Sequence, residues 1–293
     1  MEEVLFDGEF FARLHTLRMS NKMKLTSGMS GGRKSSAKGN SVEFSDFREY
    51  MLGDDIRKID WNAYGRMNRL FIKLFQEEKE GLFRIFLDGS KSMDYGERKK
   101  SVLARRIVAM LSFIVLNNLD RVYVNQIKEN ELCLGKGMTG KQSFQKILLN
   151  LERMTFEGKT DLYQGVTKSK FTGRGTTILV SDFFDEDRLE ELVRFLCFKK
   201  QEVILIQTFA EEEVTPDLEG HLNLIDMESK QDMKVSMSSS VIRTYRKTLV
   251  DFQNSIQTIA QKYHDHLRTS LVQPCRSSCL AQELVPRAFL THY

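Results

Sequence analysis

The sequence of 293 residues is poor in cysteine and proline, and both shortages narrow the class of protein. It contains four cysteines, two of which, Cys133 and Cys197, lie in segments predicted to form core elements. We therefore do not expect a small secreted protein held together by disulfides, and we expect the protein to be in a reducing compartment. Proline occurs only three times while 41% of the residues are hydrophobic, so we expect a packed globular core rather than a disordered chain.

Long apolar runs and a strong excess of one charge are also missing. The longest apolar stretch, residues 107–116, is about half of the roughly 20 residues that a membrane span requires. The first residues, Met-Glu-Glu-Val, lack the basic and apolar pattern of a signal peptide. The net charge of +4, from 44 basic and 40 acidic residues, gives no overall attraction to nucleic acid or to an anionic membrane. The sequence therefore predicts a cytoplasmic protein without a membrane span.

From residue 70 onwards the pattern of apolar residues becomes regular. Nearly unbroken apolar runs predict strands, and apolar residues at helical spacing predict the helices between them. We expect strands at 70–75, 82–87, 122–127, 131–134, 177–180 and 203–208, and helices at 8–19, 97–117, 142–154, 187–199 and 239–266. Such alternation is typical of a three-layer α/β fold with a mostly parallel sheet covered on both faces.

The segment Asp88-Gly-Ser90-Lys-Ser92 follows one of these predicted strands and precedes a long helix. In open α/β sheets, ligands bind at the carboxyl ends of the strands. Three small oxygen-bearing side chains at alternate positions suit a hard cation such as Mg²⁺ or Mn²⁺. Asp and Ser are equally ordinary turn and helix-cap residues, so this segment alone leaves both interpretations open.

Two further residues favour the metal interpretation. The strand predicted at 177–180 is also followed by an acid, Asp182, and Thr160 lies in a loop that leads into a helix. A metal site shared between strands at one edge of the sheet requires such a second carboxylate and such a loop hydroxyl.

Asp88, Ser90 and Ser92, followed by Thr160 and Asp182, resemble the metal-ion-dependent adhesion site of von Willebrand factor A domains. In that family the serines and the threonine bind the metal or lie next to it, and the aspartates act directly or through water. An acidic residue of the partner protein completes the octahedron. The resemblance therefore implies Mg²⁺ or Mn²⁺ at these five positions and a protein partner that supplies an acidic ligand.

A second resemblance covers roughly residues 30–265. Residues 38–50 and the stretch Gly-Asp-Asp-Ile-Arg-Lys-Ile-Asp-Trp at 53–61 look like the signature of the domain of unknown function 58 family, which is von Willebrand factor A-like. Members of that family typically accompany MoxR-type AAA+ ATPases. The resemblance implies a role with such an ATPase in the maturation, assembly or remodelling of a client protein.

The signature is rich in charge, and its role has two interpretations. Its acidic and basic residues either brace the N-terminal segment or form a surface for a partner. Trp61 and Tyr64 stand beside these charges, which suggests partial burial and favours bracing, since buried charges need partners. The charges concerned are Arg48, Asp54, Asp55, Arg57 and Asp60.

These features predict a chain of three parts with a binding function rather than a catalytic one. The parts are an N-terminal extension at 1–78 that carries the signature, a von Willebrand factor A-like domain at 79–267 and a tail at 268–293 without an assigned role. One alternative is a Mg²⁺-dependent phosphohydrolase using Asp88, although Ser90 stands where such enzymes have a second acid. Another is nucleic-acid binding through the basic segment 18–48, which has seven Lys and Arg residues against two acids.

Overall fold

The computed structural model describes residues 5–12, 14, 42–77, 80–128, 131–184, 187–216, 220–225, 232–263 and 267–272. The chain divides into a smaller unit, Met23–Glu80, and a larger one that comprises Met1–Lys22 and Gly81–Tyr293. Most of the basic segment, residues 18–41, and most of the tail, residues 273–293, lie outside the described residues.

The described part of the smaller unit contains a two-stranded antiparallel sheet, a 3-10 helix at Ile56–Lys58 and a short α-helix. Strand β1 (Val42–Glu49) pairs with β2 (Phe71–Glu77), and helix α1 (Trp61–Met67) lies between them in the chain. Asp60 begins this helix, because its carboxylate accepts hydrogen bonds from the backbone N–H groups of Asn62 at 2.9 Å and Ala63 at 3.2 Å.

Two charges of the signature, Arg48 and Asp54, pair within their own segment. The Arg48 guanidinium donates to Asp54 Oδ1 at 2.8 Å, and the backbone N–H of Met51 donates to Asp54 Oδ2 at 2.8 Å. The Met51 and Arg48 hydrogen bonds hold the pKa of Asp54 below its usual range. The burial expected of the neighbouring aromatic residues is wrong: Trp61 is 65% exposed and Tyr64 is 41% exposed.

The larger unit is built on a six-stranded sheet. In chain order its strands are β3 (Leu82–Asp88), β4 (Arg121–Lys128), β5 (Glu131–Cys133), β6 (Gly175–Ser181), β7 (Gln201–Thr208) and β10 (Leu267–Val272). In space they run β10-β7-β6-β3-β4-β5, and every neighbouring pair is parallel except β4 and β5. A separate antiparallel pair, β8 (Gly220–Ile225) and β9 (Asp232–Met237), completes the strands described in this unit.

Helices cover both faces of this sheet, as the alternation of its side chains requires. On one face Ile85 and Leu87 of β3 pack in a core cluster with α2 (Lys100–Asn117) and α3 (Phe144–Glu152). Phe86 points the other way, into a cluster that includes α4 (Leu162–Thr167), α5 (Leu189–Phe198) and α7 (Ser239–Lys262). The predicted three-layer α/β fold with a mostly parallel sheet is therefore confirmed.

Several boundaries differ from the sequence prediction. Helix α2 begins at Lys100 rather than at residue 97, and α7 ends at Lys262 rather than at residue 266. Strand β10 was not predicted, although the expected domain boundary at residue 267 falls at its first residue. Residues 8–12 are helical, and the core of the larger unit contains Leu5, Phe6, Phe10 and Leu14, all within the extension expected at 1–78.

The order of the strands locates a crevice. Numbered along the chain, the six strands stand in the order 3-2-1-4-5-6, so the direction of the connections reverses between β3 and β6. Connections that leave two adjacent parallel strands in opposite directions open a space at their carboxyl ends, where α/β proteins bind ligands. Within the described residues, no helix has the length and apolar character needed to cross a bilayer.

Candidate metal centre

The five residues singled out in the sequence lie together at the carboxyl ends of β3 and β6. Asp88 is the last residue of β3, and Asp182 directly follows β6. Ser90 and Ser92 lie in the turn after β3, which continues as a 3-10 helix at Lys91–Asp94. Thr160 stands two residues before α4. The crevice at the reversal of strand order therefore contains the whole predicted set.

Asp88 is buried and accepts hydrogen bonds on both carboxylate oxygens. Its Oδ1 accepts from Thr160 Oγ1 at 2.6 Å and from the backbone N–H of Ser90 at 2.9 Å. Its Oδ2 accepts from Ser181 Oγ at 2.5 Å. Burial raises the pKa of Asp88, and the nearby charge of Asp182 raises it further, while the three hydrogen bonds act in the opposite direction.

Asp182 is linked to the two serines through Ser92. The hydroxyl of Ser92 donates to Asp182 Oδ2 at 3.0 Å, and Ser90 Oγ lies 3.0 Å from Ser92 Oγ. The other carboxylate oxygen, Oδ1, accepts from the backbone N–H of Phe184 at 3.2 Å. A continuous chain of hydrogen bonds therefore runs from Thr160 through Asp88 and the Ser90 backbone to Ser92 and Asp182.

Backbone constraints at the ends of the two strands fix this arrangement. A Cβ on Gly89 would lie 2.7 Å from the carbonyl oxygen of Ile127 on β4, so only glycine fits between the motif and that strand. After β6, Phe183 adopts a left-handed backbone with φ of 60°, and its N–H donates to Ser181 Oγ at 2.9 Å. Left-handed φ costs a phenylalanine about 1 kcal/mol or more, so the burial of this side chain must stabilise the turn that positions Asp182.

Three residues of the site were missed by sequence reasoning: Ser181, Lys100 and Glu213. The Lys100 ammonium donates to Asp182 Oδ2 at 2.8 Å and to Glu213 Oε1 at 2.6 Å, and its side chain is only 1% exposed. The sequence held a signal for this lysine, because its position in α2 is on the same helical face as buried Ala104, Ile107 and Leu111.

Burial and charge pairing act in opposite directions on the pKa of Lys100 and on that of Glu213. Charge pairing is the stronger effect at Lys100, and burial is the stronger effect at Glu213. Burial by itself lowers the pKa of Lys100, but the carboxylates of Asp182 and Glu213 more than compensate and the pKa is raised. Burial also raises the pKa of Glu213, and the attraction of Lys100 only partly offsets it. The ammonium is therefore the firmly charged member of the cluster.

The site is composed mainly of hydroxyls and backbone groups around two carboxylates. Among the described residues, no group of three or more His, Cys, Asp or Glu side chains is placed to hold a metal. Any cation here would depend on the neutral oxygens of Ser90, Ser92 and Thr160 as much as on charge. Hydroxyl and carboxylate oxygens are the ligands that hard cations such as Mg²⁺ prefer.

This fold and the position of the site define the class: an α/β protein with a mostly parallel sheet and a candidate site at the switch point of its strand order. The model of the family described as "Protein of unknown function DUF58" matches residues 46–255, and the chain belongs to that family. The predicted family membership is therefore confirmed.

The chain is also similar to individual relatives and solved structures. An uncharacterized protein of Mycobacterium tuberculosis (strain ATCC 25618 / H37Rv) is 23% identical over 231 residues, which cover 76% of this chain and 72% of the relative. Among solved structures, the conserved hypothetical protein BatB from Bacteroides thetaiotaomicron has 13% identity and a TM-score of 0.40, covering 71% of this chain and 98% of that one. The SpRpn10 VWA domain has 11% identity and a TM-score of 0.41, covering 70% and 94%.

Proposed function

We propose that this protein is a cytoplasmic, metal-dependent protein-binding module that uses Mg²⁺ or Mn²⁺ at Asp88, Ser90, Ser92, Thr160 and Asp182. Its partner would be a MoxR-type AAA+ ATPase or the client of that ATPase, and the partner would supply an acidic side chain to the metal. The observation that carries the proposal is that all five side chains meet at the switch point of the sheet, where Thr160 bonds to Asp88, Ser92 bonds to Asp182 and to Ser90, and the backbone N–H of Ser90 links the two groups.

The direction of the hydrogen bonds supports a cation in front of the hydroxyls. A hydroxyl has one proton to donate and two lone pairs. Thr160 donates its proton to Asp88, and Ser92 donates its proton to Asp182. The buried carboxylates lie behind the hydroxyls, and lone pairs of both oxygens remain for a metal. The carboxylates would then supply negative charge without necessarily binding the ion directly.

The spacing of the oxygens also fits a small octahedral ion. Mg²⁺ binds oxygens at about 2.0–2.1 Å in octahedral geometry, so neighbouring ligand oxygens lie roughly 3.0 Å apart. Ser90 Oγ and Ser92 Oγ are 3.0 Å apart, and Ser92 Oγ lies 3.0 Å from Asp182 Oδ2. These oxygens would bind the ion with little movement, which favours a preorganised site over one assembled by the metal.

The exposure of the ligands supports a role in binding a partner. Asp88 and Asp182 are buried, whereas Ser92 and Thr160 are half-buried. A metal held by these hydroxyls would face solvent on one side and would keep a position for an external carboxylate. A carboxylate–metal bond of this kind gives a directional contact, which a solvent-exposed salt bridge does not.

The proposal is tested with hydroxyl variants, because Asp88→Ala would leave the hydroxyls of Thr160 and Ser181 without their acceptor. Ser92→Ala and Thr160→Ala remove one ligand oxygen each. Ser143→Ala is the matched control, since the Ser143 hydroxyl donates to the Thr139 carbonyl at 2.7 Å, outside the site. Each protein is immobilised and incubated with the purified MoxR-type ATPase of the same organism, in Mg²⁺ or in EDTA.

We expect the wild type and Ser143→Ala to retain the ATPase in Mg²⁺ and to lose it in EDTA. Ser92→Ala and Thr160→Ala should reduce retention at least about tenfold in Mg²⁺, which corresponds to about 1.4 kcal/mol of binding energy. Equal retention in Mg²⁺ and EDTA would show that the metal has no part in binding. If the protein binds Mg²⁺ but retains no ATPase, the proposed metal site stands and the proposed ATPase partner is rejected.

A further inference from the structure

A metal-binding interpretation does not explain Lys100, which brings a positive charge into the cluster. Its ammonium is almost fully buried, donates to Asp182 Oδ2 at 2.8 Å and to Glu213 Oε1 at 2.6 Å, and lies 5.3 Å from the centre of the Phe184 ring. Burying an ammonium is costly unless it is paired and hydrogen-bonded, so its position is fixed by these two carboxylates. The structure thus places a permanent positive charge beside the site.

Lys100 and a divalent cation would use the same oxygen. Asp182 Oδ2 accepts hydrogen bonds from both Ser92 and Lys100, while Oδ1 is occupied by the Phe184 backbone N–H. A metal bound by the Ser92 hydroxyl would approach Asp182 Oδ2 and meet the ammonium there. Like charges a few ångströms apart repel strongly in a partly dehydrated site, so the two cations cannot both hold Asp182 without a loss of affinity.

Glu213 provides a second carboxylate to which the Lys100 ammonium is bonded. Its Oε1 accepts from Lys100, and its Oε2 accepts from the backbone N–H of Ala210 at 2.7 Å, which fixes the carboxylate in the turn before α6 (Glu211–Val214). When Lys100 leaves Asp182, it therefore keeps one charged partner without becoming exposed to solvent. The structure shows the ammonium shared between the two carboxylates, and Glu213 is placed to hold it alone once a cation occupies Asp182.

We propose that Lys100 is a built-in competitor of the divalent cation: it neutralises Asp182 when no metal is bound and weakens metal binding at the site. This inference depends on the proposed metal function and adds its regulation. Glu213 opposes the competition, because it draws the ammonium away from Asp182. Removing the lysine and removing the glutamate should consequently change metal affinity in opposite directions.

The test measures Mn²⁺ affinity directly by electron paramagnetic resonance, in which the signal of free Mn²⁺ disappears on binding. Lys100→Met keeps the length of the side chain and removes its charge, so it should bind Mn²⁺ at least about tenfold more tightly than the wild type. Glu213→Gln should bind more weakly, because Lys100 is then left with Asp182 alone. Circular dichroism establishes that each variant is folded.

The single variant Lys100→Met leaves the Glu213 carboxylate without its ammonium partner, which could impair folding. The double variant Lys100→Met/Glu213→Gln controls for this, since it removes one positive and one negative charge and leaves no unpaired glutamate. It too should bind Mn²⁺ more tightly than the wild type. If the wild type binds Mn²⁺ and both lysine variants bind equally or less tightly, the competition is rejected and the metal function stands. If only the lysine variants bind, the competition is supported, and metal dependence of the natural protein is rejected. If none binds, both proposals are rejected.

Discussion

At the scale of single residues, helix α2 contains two buried serines in different circumstances. Ser112 Oγ donates to the carbonyl of Val108 at 2.7 Å, whereas Ser101 Oγ is buried and has no hydrogen-bond partner among the described residues. An unsatisfied buried hydroxyl costs free energy, and alanine also has the higher helix propensity. We therefore expect Ser101→Ala to raise the free energy of unfolding by about 1 kcal/mol, measured by urea denaturation.

Ser112→Ala is the matched control, because it removes a satisfied hydroxyl from the same buried helix. It should be neutral or slightly destabilising, since the lost hydrogen bond offsets the gain in propensity. If Ser101→Ala destabilises the protein more than Ser112→Ala does, the Ser101 hydroxyl has a partner that stabilises the fold.

Asp94, which follows the motif, predicts a dependence of stability on pH. Partial burial alone would raise its pKa, but hydrogen bonds from the ammonium groups of Lys99 and Lys91 outweigh this and hold the pKa of Asp94 below its usual range. A carboxyl with a lowered pKa in the folded state stabilises the fold above its unfolded pKa of about 4. That contribution is lost as the pH falls through the folded pKa.

Asp94→Asn should therefore unfold more easily than the wild type at pH 7, by about 1 kcal/mol or less, as expected for ion pairs near the surface. The difference should shrink as the pH falls below about 4 and vanish when Asp94 is protonated in both states. Glu202→Gln, at an exposed position of β7, serves as the control for removing a negative charge. A difference between wild type and Asp94→Asn that stays constant down to pH 2 would contradict the ion-pair explanation.

At the scale of elements, the pattern of apolar residues predicted the strands that are buried on both faces of the sheet. β3, β6 and β7 consist of nearly continuous apolar residues, and each was predicted within two residues of its ends. Strand β10, Leu-Arg-Thr-Ser-Leu-Val, was not predicted. Among the described strands it lies at the edge of the sheet and pairs only with β7. Three consecutive polar residues, Arg-Thr-Ser at 268–270, interrupt the apolar run that identified the other strands, so the segment carried no strand signal.

The same distinction separates the predicted and unpredicted residues of the site. Asp88 and Asp182 were placed together because parallel strands end at a common edge, so that topology alone brings them near each other. Lys100 and Glu213 reach the site from helices α2 and α6, and their meeting depends on how these elements pack. Lys100 and Glu213 are 113 residues apart, and no strand pairing relates their positions. A contact of this kind cannot be predicted from a single sequence.

At the scale of the whole molecule, β10, the last strand of the central sheet along the chain, covers the edge of the apolar strand β7. β10 pairs in parallel with β7 along its full length, from Leu267 opposite Val203 to Val272 opposite Thr208. A chain that ends at residue 266 would leave β7 as the edge, and seven of its eight residues are buried. Apolar strands with unpaired N–H and C=O groups are templates for association between chains.

We expect the chain ending at residue 266 to lose several kcal/mol of unfolding free energy relative to the chain ending at residue 272, at about 1 kcal/mol for each hydrogen bond of the ladder. It should also associate as its concentration rises, because β7 is then open to a second molecule. Thermal unfolding and light scattering of the two truncated chains measure both effects. Since the two chains differ only by residues 267–272, equal unfolding temperatures and equal scattering would mean that β10 contributes nothing to the sheet.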